Sequence, residues 1–251
     1  MNSPIRFALS LFSRRTDNSP GRHSPSSPSA LSRDLSELLA APSPAWPLIQ
    51  SWIAEASNPV EVLPPNAGAR AESLLAIQVT VGSVLGAIVY ETGGLLVDHG
   101  WVRILGAGHP RLTRSIASWN TGRTIRRLGE TPPFFLVADD VLGGFFAING
   151  GAFAAEPGHV CYLAPDTLEW ESLGIPHSQF VMWLLGGDLA KFYEGNRWAG
   201  WQEEVEALSG DMAYSFYPFL SAEAESIDAR SRMPVPIEEL YRLHVDSASG
   251  P

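Results

Sequence analysis

Between Phe134 and Glu171 the chain alternates short apolar runs with turn signals, and this rhythm limits the possible folds more than any other feature. Phe134 to Ala138 reads as a strand, Asp139-Asp140 as a turn, and Gly143 to Ile148 as the next strand. Asn149-Gly150 follows as a tight-turn signal; His159 to Leu163 is another run, closed by Pro165-Asp166, and Leu168 to Glu171 is a short last candidate. Successive short strands joined by turns predict an antiparallel β-meander. Upstream, Leu95 to Val97 and Trp101 to Leu105 flank Asp98-His99-Gly100 and predict a further hairpin.

Helical spacing surrounds this strand-rich centre. Ser32 is placed to cap a helix with Leu35, Leu38 and Leu39 on one face, and Ser43-Pro44 to open another carrying Trp46, Ile49, Trp52 and Ile53. Ala67 to Ala76 reads as a helix, whereas Ile77 to Tyr90 carries both strand-favouring and glycine signals and stays open. Leu112 to Trp119 also reads as helical. After the meander, Gln179 to Leu185, Leu189 to Glu194 behind the cap Asp188, Trp201 to Leu208 and Pro236 to His244 are expected helices. The expected fold is one α+β domain over residues 32–246, a central antiparallel meander flanked by N- and C-terminal helices. It is preceded by a disordered Ser/Pro/Arg-rich tail over 1–31 and followed by a flexible terminus over 247–251.

Charge narrows the function classes. The first 33 residues hold five arginines against one aspartate, a local +4, while the rest holds 12 basic and 26 acidic side chains, a net −14. With one lysine in the chain, Lys191, nucleic-acid binding by the body is disfavoured, because it runs on many cations displacing condensed counterions. No run nears the roughly 18 apolar residues of a membrane helix, and Ile5 to Phe12 is short and broken by Arg6, so neither a membrane span nor a signal peptide is expected. The single Cys161 rules out an internal disulfide and fits a reducing compartment, so the expected location is cytoplasmic.

The chain carries no GxSxG, P-loop, HExxH, CxxC or strand-helix GxGxxG pattern. No catalytic residue, metal ligand set or cofactor is therefore expected. Asp139 and Asp140 are candidate binding residues: either an acidic loop before Gly143-Gly144, or a turn whose carboxylates accept local backbone amides. Asp98, His99 and His109 around the hairpin are either metal ligands or solvated loop residues. Arg111, Arg114, Arg123, Arg126 and Arg127 form a basic island without an acid. Arg123, Arg126 and Arg127 either recognise a partner or anion, or pair with the acidic half of the chain. Trp198 and Trp201 open an aromatic stretch running through Tyr214, Phe216, Tyr217 and Phe219, which is either core or a recognition surface.

The strings ADDVLGGFFAINGGAF, YLAPDTLEWESLG, GDLAKFYEGNRWAGW and FYPFL, with the earlier AWPLIQSWI and GGLLVDHGWVRILGAGHPRL, resemble a bacterial domain-of-unknown-function family, number 2625, over residues 32–246. More distantly, Asp139-Asp140, Gly143-Gly144, Trp170 and the Phe180 to Leu185 helix are similar in order to the SUKH superfamily. That likeness implies a SUKH-like fold and an immunity-type or regulatory protein that binds another protein, a toxin or a regulatory partner. From the residues alone, two functions stand: a non-enzymatic protein-binding module, or a small-molecule-binding or enzymatic domain whose cleft joins Asp139 and Asp140 to the arginines of 111–127.

Overall fold

The meander expected from Phe134 onward is the second half of a longer sheet. The structure, a computed structural model, describes residues 32–127, 131–223 and 226–248. The strands of the main sheet are β1 (Val60–Leu63), β2 (Gly94–Val97), β3 (Val102–Leu105), β4 (Phe134–Asp140), β5 (Phe145–Asn149), β6 (His159–Leu163) and β7 (Trp170–Pro176). They lie in sequence order, and every neighbouring pair is antiparallel. A separate two-stranded ribbon pairs β8 (Met212–Tyr217) with β9 (Ser231–Pro236). The predicted tail over residues 1–31 lies outside the described residues.

Nine helices among the described residues complete an α+β, single-domain arrangement. They are α1 (Leu35–Leu39), α2 (Trp46–Ala54), α3 (Ala69–Ile77), α4 (Val84–Glu91), α5 (Ile116–Asn120), α6 (His177–Gly186), α7 (Leu189–Phe192), α8 (Trp201–Glu206) and α9 (Ile237–Ala248). The cap of α1 is Asp34 rather than Ser32: its carboxylate accepts from Glu37 N, and the Glu37 side chain returns to Asp34 N. At α2 the cap is Ala45, without a side-chain bond, and a proline stands in the first turn. The open segment 77–90 resolves into α3 ending at left-handed Gln78 (φ 56°) and α4 starting at Ser83, whose Oγ accepts from Gly86 N. The terminal helix runs on to Ala248, past the predicted boundary at 246.

Both faces of the sheet are covered, so β2 and β3 are buried at every residue instead of alternating. Phe145 and Phe146 are neighbours on β5 and point to opposite faces. Phe145 stacks with Trp119 of α5 and meets Tyr241 of α9, while Phe146 packs on Tyr162 and on Phe180 of α6. Two turn expectations change. The β4 strand runs through Asp139 and Asp140, and the turn lies at Val141–Gly144. Asn149-Gly150 is not a tight turn, because buried Asn149 organises a longer loop: its Oδ1 accepts from Gly151 N and Phe153 N, and its Nδ2 donates to Phe153 O and Ala155 O.

A side chain replaces a missing piece of strand at the centre. The register between β3 and β4 ends at Ile104↔Ala138, leaving Leu136 without a strand on that side. Fully buried Asn120 fills the gap: Nδ2 donates to Leu136 O (2.8 Å) and Ile116 O (2.9 Å), and Oδ1 accepts from Leu136 N (2.9 Å) and Thr124 Oγ1 (2.7 Å). Asn120→Ala leaves buried backbone groups of β4 unpaired. It is expected to lower unfolding free energy by about 3 kcal/mol in urea titrations.

Candidate functional site

Asp139 and Asp140, adjacent at the end of β4, are both 0 % exposed and enter two different networks. Arg103, the one charged residue of the VRIL strand β3, stands directly across from Asp139 and is itself buried. Its Nε donates to Asp139 Oδ1 at 2.7 Å, and its Nη2 lies 2.6 Å from the same oxygen but off the N–H axis. The other oxygen, Oδ2, accepts from Arg114 Nη1 at 2.7 Å. Arg114 also donates through Nε to Asp211 Oδ1 (3.0 Å) and through Nη2 to Gly210 O (2.7 Å). Asp211 takes Thr113 N and Oγ1 on its second oxygen, and with Arg114 these donors hold its carboxyl below its ordinary value against the effect of burial.

Asp140 faces the opposite side of the sheet. Its Oδ1 accepts from Leu142 N and Gly144 N, both at 2.9 Å, and its Oδ2 from the phenols of Tyr162 (2.7 Å) and Tyr193 (3.1 Å). Burial pushes this carboxyl above its ordinary value, although the four donors and nearby Arg103 favour the anion. Burial and the neighbouring carboxylate hold both tyrosines well above their usual range, so they stay neutral donors. A Cβ on Gly144 would lie 2.3 Å from Tyr162 Oη and 2.5 Å from Asp140 Oδ2, so the glycine is what lets the turn close over the carboxylate. The turn reading is thus right for Asp140 and wrong for Asp139. Asp139 does meet Arg114 of the arginine island, but in a buried ion pair, and neither carboxylate lines an open cleft, which corrects the expectation of a cleft between them and the arginines.

The island itself is partly consumed by structure. Arg111 pairs with Glu61, Arg114 with Asp139 and Asp211, and Arg123 donates to Glu238 of α9 (2.7 Å) and Trp119 O (2.9 Å) while lying over the Trp119 ring. Arg126 and Arg127 are exposed. Trp198 and Trp201 are 2 % and 8 % exposed and pack on Trp101 beside Tyr193, so they belong to the core and not to a recognition surface. Asp98 pairs with Arg197, His99 with Glu206, and His109 accepts from Arg111 N. No group of three or more metal-ligating side chains comes together among the described residues. Burial lifts the Cys161 thiol to about 11, which leaves it unreactive at neutral pH.

The aromatic stretch divides between core and surface. The ribbon's inner face, Tyr214 and Phe216, packs on Trp198. Its outer face carries Met233, across from Ser215, and Tyr217, one step further along the same face. These two are 62 % and 75 % exposed, and Phe219 just beyond the ribbon is 51 % exposed. Beside them a depression of about 100 Å³ is lined by Phe219, Leu220, Leu240, Leu243 and His244. The period-two alternation of Tyr214, Phe216 against Ser215, Tyr217 was the available signal.

The family model described as "Protein of unknown function DUF2625" matches residues 35–240. The chain belongs to this family. A relative from Escherichia coli K12, "Putative uncharacterized protein YbfG", is 44 % identical over 211 residues, covering 84 % of this chain and 95 % of the relative. An "Uncharacterized protein" from Haemophilus influenzae is 37 % identical over 211 residues, covering 84 % of this chain and 92 % of its own. No solved structure matches. The DUF2625 span includes both carboxylate networks and the whole ribbon. The SUKH resemblance rests on strand order and the residues quoted for it, and the comparisons do not extend to it.

Two outcomes follow for this DUF2625 core. Asp139→Ala strands a buried guanidinium and should cost about 3–5 kcal/mol in chemical unfolding, whereas Arg103→Met with Asp139→Leu recovers part of the loss. His177 at the start of α6 is buried with no bonding partner for Nε2, and burial alone lowers its pKa to about 4. Its neutral form is favoured by folding above pH 6.5, and that contribution is lost as pH falls toward about 4. His244, lowered mainly by burial, acts in the same sense; Asp140, raised, acts in the opposite one. Between pH 7 and pH 5 the His177 part is worth about 2 kcal/mol, and His177→Leu should flatten the pH dependence of the unfolding free energy from urea titrations by that amount.

Proposed function

We propose that the protein is a non-enzymatic protein-binding module of the cytoplasm, immunity-type or regulatory, that engages its partner through the outer face of the β8–β9 ribbon. The supporting observation is the exposure of Tyr217, Phe219 and Met233 together beside an apolar depression. Tyr, Phe and Met are enriched in the buried centres of protein interfaces, and a soluble surface otherwise exposes such side chains singly. The ribbon is anchored on the core by Trp198 and by Arg232, which donates to both oxygens of Glu204, so the patch is presented on a rigid element.

Strand addition is a poor fit to β9, because two of its six residues, Pro234 and Pro236, have no N–H for a further strand. Recognition by side chains suits this edge better. The acidic body, at net −14 beyond residue 33, favours a basic partner, such as a basic toxin or regulatory protein, and would speed association at low salt. No helix among the described residues is long and apolar enough to cross a membrane.

The triple variant Tyr217→Ser, Phe219→Ser, Met233→Ser separates this reading from a structural role. In a tagged pull-down at low salt from the native host, the unmodified chain should retain a basic protein that the variant loses, with thermal midpoints within about 3 °C. Equal recovery by a folded variant, or no retained protein at all, counts against the proposal.

A further inference from the structure

A cleft of about 450 Å³ opens at the end of the β4–β5 hairpin opposite the Asp139–Gly144 turn. Its walls are apolar: Ile77 and Val79 at the end of α3, Leu85 of α4, Ile125, Phe135 of β4 and Ile148 of β5. All but Phe135 are only partly buried, so among the described residues the apolar surface is left uncovered inside a concavity of the size that holds small molecules. Neither carboxylate network nor the ribbon contributes to it.

Among the described residues, one charged side chain stands in the lining. Arg33 lies in the cleft lining, its guanidinium held by Gln78 O and its backbone N–H by Gln78 Oε1. Asp34 and Glu37, the acids nearest to it in sequence, each accept the other's backbone N–H in the α1 cap. Arg126 and Arg127 follow the lining residue Ile125 and are exposed. Between Arg111 and Phe135 the only acid in the sequence is Glu130. An apolar cavity with one arginine as the only charged residue of its described lining suits a ligand with an apolar body and one anionic head. We infer that the cleft binds a small amphipathic anion, its apolar part against Ile77, Leu85, Ile125 and Ile148 and its head group at Arg33, Arg126 and Arg127.

Calorimetric titration of the full chain with decanoate, decyl phosphate and decan-1-ol tests this. Saturable binding of at least one anion, weakened by added salt and tighter than the alcohol by about tenfold, is expected. The surface variant Arg33→Gln, Arg126→Gln, Arg127→Gln should lose about that factor for the anion and leave the alcohol unchanged. Leu85→Trp, which fills the cleft, should remove binding of all three while the circular-dichroism spectrum is retained. The ratio of decanoate to decyl phosphate affinity tells a carboxylate head from a phosphate head. No saturable binding of either anion, equal binding by the triple arginine variant, or undiminished binding by a folded Leu85→Trp chain overturns the assignment.

Discussion

Asp139 sits between two guanidiniums in the interior of the sheet, and much of the molecule is arranged around that one carboxylate. Arg103 comes from β3 and Arg114 from the connection into α5, while Arg114 reaches on to Asp211 and Gly210 where β8 begins. The chain of charge therefore ties the middle of the seven-stranded sheet to the base of the ribbon. Taking such groups out of water is expensive, and the arrangement stands only because each charge meets an opposite one at hydrogen-bond distance. An apolar set of the same shape would recover part of that cost, but it has no donors or acceptors to tie the 106–115 loop to the 210–211 turn.

Asp140 extends this logic to the other face. Four donors converge on it from the turn, from β6 and from the segment after α7, so one residue joins three separate pieces of chain. Gly143, at φ +82°, and Gly144 let the backbone fold back closely enough to supply two of those donors. Adjacent carboxylates on a strand with opposite partners are a way to lock both layers of helices onto one sheet. Consumption of these groups by the fold is also why no acid-base chemistry is assigned to them.

The meander, the 95–105 hairpin and most helices were legible because period-two and helical spacing act locally. The Asp139 network was not, because its members are 36, 25 and 72 residues apart from that carboxylate along the chain. A local clue existed in Arg103, a cation inside the apolar run VRIL, which a buried strand tolerates only with a counter-charge. Strand β9 was missed because proline argues against strand and only a ribbon edge accommodates it. Trp198 and Trp201 stayed open between core and surface for a different reason: composition marks a residue as a good interface anchor whether it is inside or out. What separated Tyr214 and Phe216 from Tyr217 was the alternation along β8, which places the first two inward and Tyr217 outward.

The two unassigned apolar surfaces call for different occupants because their rims differ. The ribbon patch is exposed, carries flexible and aromatic side chains, and stands on a largely acidic body, conditions under which a second protein can cover several exposed groups at once. The cleft is concave, its walls are mostly apolar and its described lining holds one charge, that of Arg33, so a small ligand with an apolar body and an anionic head fits it better than a neutral hydrocarbon. The Asp139 clamp reaches the ribbon through Asp211, whereas the cleft lies at the far end of β4 and β5, beyond Asn120. Loss of either surface by substitution should therefore leave the other intact, since the side chains involved share neither a hydrogen bond nor an element of the main sheet.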